Sequence, residues 1–426
     1  MAIDTPARLA ILGAGPIGLE AALYARFLGY DVAIYEAGDV AASIRRWGHV
    51  RMFTPFGMNH SPLGLAAIHA HDESYQPPPV DSLLTGSEWI DRYWLPLSQT
   101  DLLADHLRLQ TRVLAVGKDE VLKGEMPGHP DRGDWSFRVL SQDAAGVQRI
   151  DTFDGVLDCT GVFTRSNWLG HGGIPAVGEL SLEHAIEYRL PDILGAGRER
   201  YAGRHTLLVG SGMSAATNVV ALAELAKSAP ETRVTWITRR EGPAATGPIA
   251  VIANDRLPER AALARAANAL ALKPEAPAKD GPITYWPLTV VEAVDQRGQD
   301  GFVVELSGEH AGTLEVDHII ANVGFRPDNR LYEELQVHEC YASQGPMKLA
   351  AALAGSAGKD CLDQKTCGAS SLLNPEPNFY ILGHKSFGRG PNFLFQLGLA
   401  QIREVFSILG DRETLDLYSG AKPLLK

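Results

Sequence analysis

The chain has 426 residues, enough for two or three domains at roughly 150 residues each, and its 45% hydrophobic and 21% charged content excludes a disordered or fibrous protein. Lys and Arg number 39 against 51 Asp and Glu, a net charge of −12, which disfavours a nucleic-acid-binding surface because phosphate recognition relies on Lys and Arg. The four scattered cysteines, Cys159, Cys340, Cys361 and Cys367, make no secreted disulfide framework, and no stretch reads as a signal peptide or as the ~20 apolar residues of a membrane span; the expectation is a soluble protein of a reducing cytoplasm, with neither membrane nor nucleic acid as partner.

Arg8–Leu12 reads as a short apolar strand, followed by Gly13-Ala14-Gly15-Pro16-Ile17-Gly18 and an Ala-rich helix over Leu19–Leu28. In a strand–turn–helix setting Gly13 allows the tight turn, Gly15 lets the backbone approach a pyrophosphate, and Gly18 lets the helix pack on the strand. The helix N-terminus then faces the anion. A second strand, Asp31–Tyr35, ends at Glu36, where a carboxylate accepts from ribose hydroxyls and favours an unphosphorylated ribose. A glycine turn without a ligand is the plain alternative.

His69 and His71, with Asp72 and Glu73, read as a solvated loop and not as a metal site, because no third ligand is set by spacing. Leu107–Val116 reads as one strand. Pro- and Gly-rich loops are expected at Pro77–Pro79, Met126–Gly133, Gly242–Pro248 and Pro274–Gly281.

The strand–turn–helix grammar returns at Thr206–Val209, Gly210-Ser211-Gly212-Met213-Ser214-Ala215 and a helix over Ala215–Lys227. Alanine is tolerated at the third glycine position because only a small side chain is needed there. The next strand, Arg233–Ile237, ends in Thr238-Arg239-Arg240. Two guanidiniums at that corner suit a ribose 2′-phosphate through bidentate contacts; a solvated turn is the other reading. Two cradles with opposite ribose preferences imply FAD in the first and NADPH in the second. Further on, Pro258–Leu272 reads as a surface helix. Ser356–Ser371 reads as an inert insertion or a loop near the active site, and Phe393–Leu409 as a final helix.

On these motifs, and on three further segments, the chain resembles the two-dinucleotide-binding-domain flavoproteins, the FAD/NAD(P)-binding pyridine nucleotide oxidoreductases. Asp154–Gly161, ending in Cys159-Thr160-Gly161, is similar to the family strand from which the chain crosses between domains. Asp317–Asp328, through Asn322-Val323-Gly324-Phe325-Arg326-Pro327-Asp328, is similar to the returning crossover. Asn378–Gly383 is similar to the last FAD-domain strand. The resemblance implies an α/β fold of two Rossmann-like three-layer domains. An NADPH domain, 166–324, would be inserted into a discontinuous FAD domain, 1–165 and 325–426. It also implies cofactor contacts from Ala37, Arg46, Trp47, Val113, Cys159, Thr160, Gly161, Asn322, Gly324, Gly383, His384 and Gln396, beside the two glycine motifs, Glu36, Arg239 and Arg240. Val113 reads equally as core, and Gln396, with Arg389 and Asn392, as helix capping.

Within that family, disulfide reductases pass electrons through paired thiols beside the flavin, and no such cysteine pair stands after Glu36 or in the second nucleotide domain. Trp47–Pro55 is similar to a stretch of the class B flavin monooxygenases, which makes Thr54, Asn59 and His60 the candidates lining an oxygen-reacting pocket, with a polar loop as the alternative for His60. Two features depart from that group: Arg45 and Arg46 replace the glycines before Trp47, and the F-x-G-x-x-x-H fingerprint is absent from Val162–Val209. His384 and Lys385 follow Gly383 where reductase-like relatives carry Gly-Asp. The resemblance implies an NADPH-dependent FAD monooxygenase. It would form a flavin C4a-(hydro)peroxide from O2 and oxygenate a small nitrogen- or sulfur-containing substrate or a ketone. The rival is an NAD(P)H-dependent flavin reductase or oxidase serving a quinone or protein acceptor, and a non-catalytic nucleotide sensor is a third class. No metal is expected, and a homo-oligomer is left open.

Overall fold

The computed structural model describes residues 3–242, 246–272, 281–298, 301–355 and 360–421. In chain order its strands are β1 (Arg8–Leu12), β2 (Asp31–Tyr35), β3 (Leu107–Arg108), β4 (Thr111–Lys118), β5 (Phe137–Asp143), β6 (Gln148–Phe153), β7 (Gly155–Asp158), β8 (His205–Val209), β9 (Arg233–Ile237), β10 (Ile283–Trp286), β11 (Thr289–Arg297), β12 (Gly301–Gly308), β13 (Gly312–Val316), β14 (His318–Ala321) and β15 (Phe379–Ile381). The chain divides into two compact units, residues 1–165 with 325–426, and residues 166–324.

Unit 1 is built on a parallel sheet of order β15-β7-β1-β2-β3, with a separate antiparallel sheet β4-β5-β6. Alternate residues of a strand face opposite ways, and both faces of a parallel sheet are normally covered. Leu9, Ile11, Val32, Ile34 and Leu157 therefore meet the helices Pro16–Phe27, Pro62–His71 and Phe395–Leu409. Ala10, Leu12, Ala33, Tyr35 and Val156 meet Val116, Phe137, Val139 and Phe153 of the antiparallel sheet. Continuous apolar runs such as Arg8–Leu12 follow from that double burial.

Unit 2 repeats the plan with a parallel sheet β10-β9-β8-β14 and an antiparallel sheet β11-β12-β13. Leu208, Val234, Trp236 and Ile320 pack on the helices Met213–Ser228 and Pro258–Ala271. Leu207, Ile237 and Ile319 pack on Val294, Phe302 and Val304. Both units are thus helix, parallel sheet, antiparallel sheet.

Two expectations need correction. Leu107–Val116 is not one strand: Gln110 takes a left-handed conformation (φ 51°), so β3 stays in the parallel sheet while β4 leaves for the antiparallel one. His69 and His71 do not lie in a loop but in the last turn of a helix that starts at Pro62, where Ser61 Oγ accepts from the Gly64 N–H at 2.7 Å. Both imidazoles are exposed, and helical residues two apart do not share a face. Of the expected loops, residues 243–245 and 274–280 lie outside the described residues, as do 356–359 of the Ser356–Ser371 segment. Among the described residues no helix is long and apolar enough to cross a membrane.

Candidate functional site

In unit 1 the carboxyl end of β1 runs into the first glycine turn. Gly13 has φ 99°, and its N–H donates to the Tyr35 carbonyl at 2.7 Å, tying the turn to the end of β2. A Cβ on Gly13 would stand 2.9 Å from the Cys159 carbonyl oxygen, and one on Gly18 would overlap the Gly13 carbonyl oxygen, whereas a Cβ on Gly15 would meet nothing within 4 Å. Gly13 and Gly18 are therefore demanded by packing, while Gly15 faces open space. Gly15 caps the helix without a side chain, Pro16 occupies its first turn, and no acidic residue stands there. The first-turn amides are free of side-chain caps and carry the positive end of the helix dipole, which fits a pyrophosphate. Glu36 stands at the end of β2: its Oε2 accepts from the Ala14 N–H at 3.0 Å and its Oε1 from the Gly38 N–H at 2.8 Å. Each oxygen keeps lone-pair capacity for a ribose hydroxyl. Ala37, next to it, is exposed.

In unit 2 Gly210 has φ 132°, and a Cβ there would overlap the Asn322 carbonyl oxygen, while Gly212 faces open space. Gly212 caps the helix that begins at Met213-Ser214-Ala215, again without a side-chain cap. Trp236 Nε1 donates to the Gly210 carbonyl at 2.8 Å and steadies the turn. At the end of β9 Thr238 is buried, its hydroxyl donating to the Arg240 carbonyl and sharing a 2.8 Å hydrogen bond with the Tyr285 hydroxyl. That inward anchor leaves Arg239 and Arg240 exposed, able to meet a phosphate. Asn322 lies beside the turn, but its side chain is engaged within unit 2: Oδ1 accepts from Asn218 and Nδ2 donates to the Arg189 carbonyl. Gly324 (φ 86°) ends the unit, its carbonyl accepting from the Asn167 N–H.

The remaining candidates lie in unit 1. The Cys159-Thr160-Gly161 turn crosses over Gly13. Cys159 is buried, and burial together with Asp158 pushes its thiol well above the ordinary range. Gly383 (φ 70°) presses on Ile17 in the first turn of the leading helix, against which Gly398 also packs. His384 stacks on Phe393 at 5.8 Å, meets Phe163 edge-on at 5.6 Å, and contacts the Gly390 carbonyl through Nε2 at 3.0 Å. A carbonyl can only accept, so Nε2 carries the proton and Nδ1 is left as the acceptor; burial lowers the pKa and keeps the ring neutral. Trp47 packs on Gly86, and Arg46 is exposed beside it. Val113 packs partly against the sheet-side core, beside a bulge between Val113 and Ala115.

Asn59 is a brace. It is buried, its Nδ2 donates to the Thr54 carbonyl, the Thr54 hydroxyl and the Pro55 carbonyl, and its own carbonyl accepts from Trp89 Nε1. That amide is spent on holding Thr54. His60 packs against Phe56 and Tyr93, and burial lowers its pKa. Gln396, in the first turn of the final helix, donates to the Met58 carbonyl at 3.1 Å and so ties that helix to the Thr54–Asn59 segment.

Two buried features escaped the sequence. Glu20 is inaccessible, accepting from the Tyr93 hydroxyl at 2.8 Å, and burial pushes its carboxyl up to about 7. Lys385 pairs with Asp158 at 2.6 Å, both buried. The one signal in the sequence was a lone charge inside an apolar run, Leu19-Glu20-Ala21-Ala22 in the first case and Phe379–Phe387 in the second. Among the described residues no group of three or more His, Cys, Asp or Glu could hold a metal.

No protein-family model and no curated protein matches the chain. Solved structures do. A bacillithiol disulfide reductase from Bacillus cereus has 18% identity and a TM-score of 0.64, covering 96% of this chain and 99% of its own. The FAD-bound cadaverine monooxygenase of desferrioxamine biosynthesis from Erwinia amylovora has 13% identity and a TM-score of 0.62, covering 97% and 96%. The ornithine N-hydroxylase of Kutzneria sp. 744, with reduced FAD, NADP+ and L-ornithine, has 15% identity and a TM-score of 0.61, covering 96% and 100%. The fold is that of the two-domain FAD/NAD(P)-binding oxidoreductases, and on it the neighbours carry different chemistries.

Proposed function

We propose that the chain is an NADPH-dependent FAD monooxygenase, binding FAD in unit 1 and NADPH in unit 2, and oxygenating a small nitrogen- or sulfur-containing substrate or a ketone. The observation that carries the reading is the contrast between two uncapped helix mouths: one is cornered by the fixed carboxylate of Glu36, the other by the exposed Arg239 and Arg240. A carboxylate beside a ribose repels a 2′-phosphate, and two guanidiniums attract it. When bound, the two cofactors supply the hydride transfer and the activation of dioxygen.

The protein's part is placement. The first-turn N–H groups of Ile17 and Gly18 hold a pyrophosphate, Glu36 holds ribose hydroxyls, and His384 Nδ1 stands as an acceptor near Gly383. Thr54, fastened by Asn59, offers a hydroxyl, and His60, kept neutral by burial, adds no charge. Cys159 supports oxygen chemistry over disulfide exchange: a thiol held protonated is no nucleophile, and it is the cysteine at the first cradle.

The test starts from the visible spectrum of the purified protein. Oxidised-flavin bands that bleach anaerobically much faster with NADPH than with NADH support both cofactor assignments. ¹⁸O2 tracing with amines, thioethers and ketones then decides the reaction. Label in product supports the monooxygenase; NADPH oxidation without label, and with reduction of a quinone or protein acceptor, replaces it by the reductase. A flavin that NADPH cannot reduce points to a nucleotide sensor.

A further inference from the structure

Among the described residues, unit 1 buries two ion pairs, Arg132–Glu376 at 2.8 Å and Lys385–Asp158 at 2.6 Å, with no side chain more than 1% accessible. Such pairs are poor sources of stability, because desolvating both charges offsets most of the attraction, and apolar residues of similar volume often do as well. Removing one partner is different: it strands a buried charge. A buried pair therefore binds two pieces of chain to one geometry more than it strengthens the fold.

The two pairs bind different pieces. Arg132 forks onto Glu376 and donates to the carbonyls of Leu122 and Glu125, fastening the excursion between β4 and β5 to the segment leading into β15. Lys385–Asp158 lies at the carboxyl ends of β7 and β15. Asp158 closes β7: its Oδ1 accepts from the Thr160 N–H at 3.1 Å and hydroxyl at 2.7 Å, and its Oδ2 from Lys385 Nζ. Lys385 Nζ also donates to Thr160 Oγ1 at 3.1 Å and lies 5.0 Å from the centroid of the Tyr332 ring. On the far side of the same turn Gln401 accepts from the Gly383 N–H and donates to Ser386 Oγ. Both joined segments press on the first glycine cradle: the Cys159 carbonyl oxygen would lie only 2.9 Å from a Cβ on Gly13, and Gly383 packs on Ile17.

We propose that the Lys385–Asp158 pair is a positioning element for the flavin, linking the Cys159–Gly161 turn to the Gly383–Phe387 turn so that the cradle has its binding shape before the cofactor arrives. The proposal rests on the assignment of FAD to unit 1. Both charges are buried and act on the cradle through Thr160, Gly161 and Gly383. A preshaped cradle avoids the ordering free energy that binding would otherwise spend.

The test uses full-length apoprotein. Asp158→Asn with Lys385→Met removes both charges while keeping an acceptor for Thr160, and Arg132→Met with Glu376→Gln does the same to the pair away from the cradle. Thermal unfolding of each apoprotein reports the fold, and FAD titration by flavin fluorescence quenching reports the cradle. The expected result is a near-wild-type apoprotein midpoint for both, an unchanged FAD constant for the Arg132/Glu376 variant, and at least about tenfold weaker FAD binding for the Asp158/Lys385 variant. Equal FAD affinity in all three proteins, or equal loss in both variants, overturns the proposal. Should the Asp158/Lys385 variant not fold, Asp158→Asn with Lys385→Leu, which also strands no charge, gives the same readout: weaker FAD binding at unchanged Arg132/Glu376 behaviour supports the proposal, and wild-type affinity overturns it. A wild-type protein that takes up no FAD overturns the cofactor assignment instead.

Discussion

The two glycine turns are built on one plan and held by different means. In unit 1 the leading helix is so close to its strand that the Gly18 position has no room for a Cβ, and a carboxylate, Glu36, ties the turn to the next strand through two backbone amides. In unit 2 Ala215 occupies the same place, fully buried and accommodated, and the turn is steadied from outside by Trp236 Nε1. Two residues further along each helix the contrast continues: Glu20 is buried against Tyr93, whereas Thr217 bonds back to the Met213 carbonyl of its own helix. The lesson is that the phosphate-facing backbone repeats, while the side chains supporting it are chosen by each unit's own packing.

The largest expected effect breaks the tighter turn. Gly18→Ala forces an overlap with the Gly13 carbonyl and is expected to destabilise the fold by more than about 4 kcal/mol or abolish flavin uptake, read by denaturant unfolding and by flavin content. Wild-type stability and flavin content would show that the helix can simply lift away.

Next comes Glu20. Its carboxyl rises from 4.5 to about 7 in the folded chain because burial disfavours the anion. The folded state therefore holds a proton that the unfolded chain releases between those values. The sign follows: full stability below about pH 4.5, a decline as pH rises through about 7, and a plateau above. Glu20→Gln keeps the oxygen that accepts from Tyr93 and removes the titration, so it is expected to add on the order of 3 kcal/mol at pH 8 and little at pH 4. Urea unfolding across that range measures it, and parallel pH profiles for the two proteins would refute the assignment.

Arg239→Ala with Arg240→Ala attacks the other corner. Charge-assisted contacts are worth about 1.5–3 kcal/mol, so the NADPH-over-NADH preference is expected to fall roughly ten- to a hundredfold, measured as the ratio of anaerobic flavin-reduction rates. A constant ratio would make the two arginines a solvated turn.

The smallest effect is the mirror of the first: Ala215→Gly in unit 2 is expected to cost only about 1 kcal/mol, the helix propensity difference, in the same denaturant measurement. If it costs as much as Gly18→Ala, the two turns are not packed differently after all.

The fold class was legible because its signals are local. A five-residue apolar run, a glycine turn and a helix can each be recognised within a dozen residues, and β1, β2 and β9 lie where periodicity and breakers place them. The departures are also local in cause: nothing in Leu107–Val116 announces that Gln110 will take a positive φ, and Ser61-Pro62 starts a helix that carries His69 and His71 along. Of the candidate site, the sequence shows the parts that backbone makes. Asn59 reads as a pocket residue in sequence, and what the sequence does not show is that its amide holds Thr54, because hydrogen bonds five residues back are decided by how the loop turns.

Taken alone, the sequence determined the repeated strand–glycine–helix unit, its opposite charges at Glu36 and Arg239-Arg240, and the apolar strands of sheets covered on both faces. Chain stiffness, glycine's freedom and burial act over a few residues, so they are written in order along the chain. Tertiary structure alone decided that Lys385 meets Asp158 across 227 positions, that Glu20 loses water, and that Gly18 has no space for a methyl group. Those outcomes depend on which distant segments share a boundary, and the free energy of a buried charge or a crowded atom is set by all its neighbours at once.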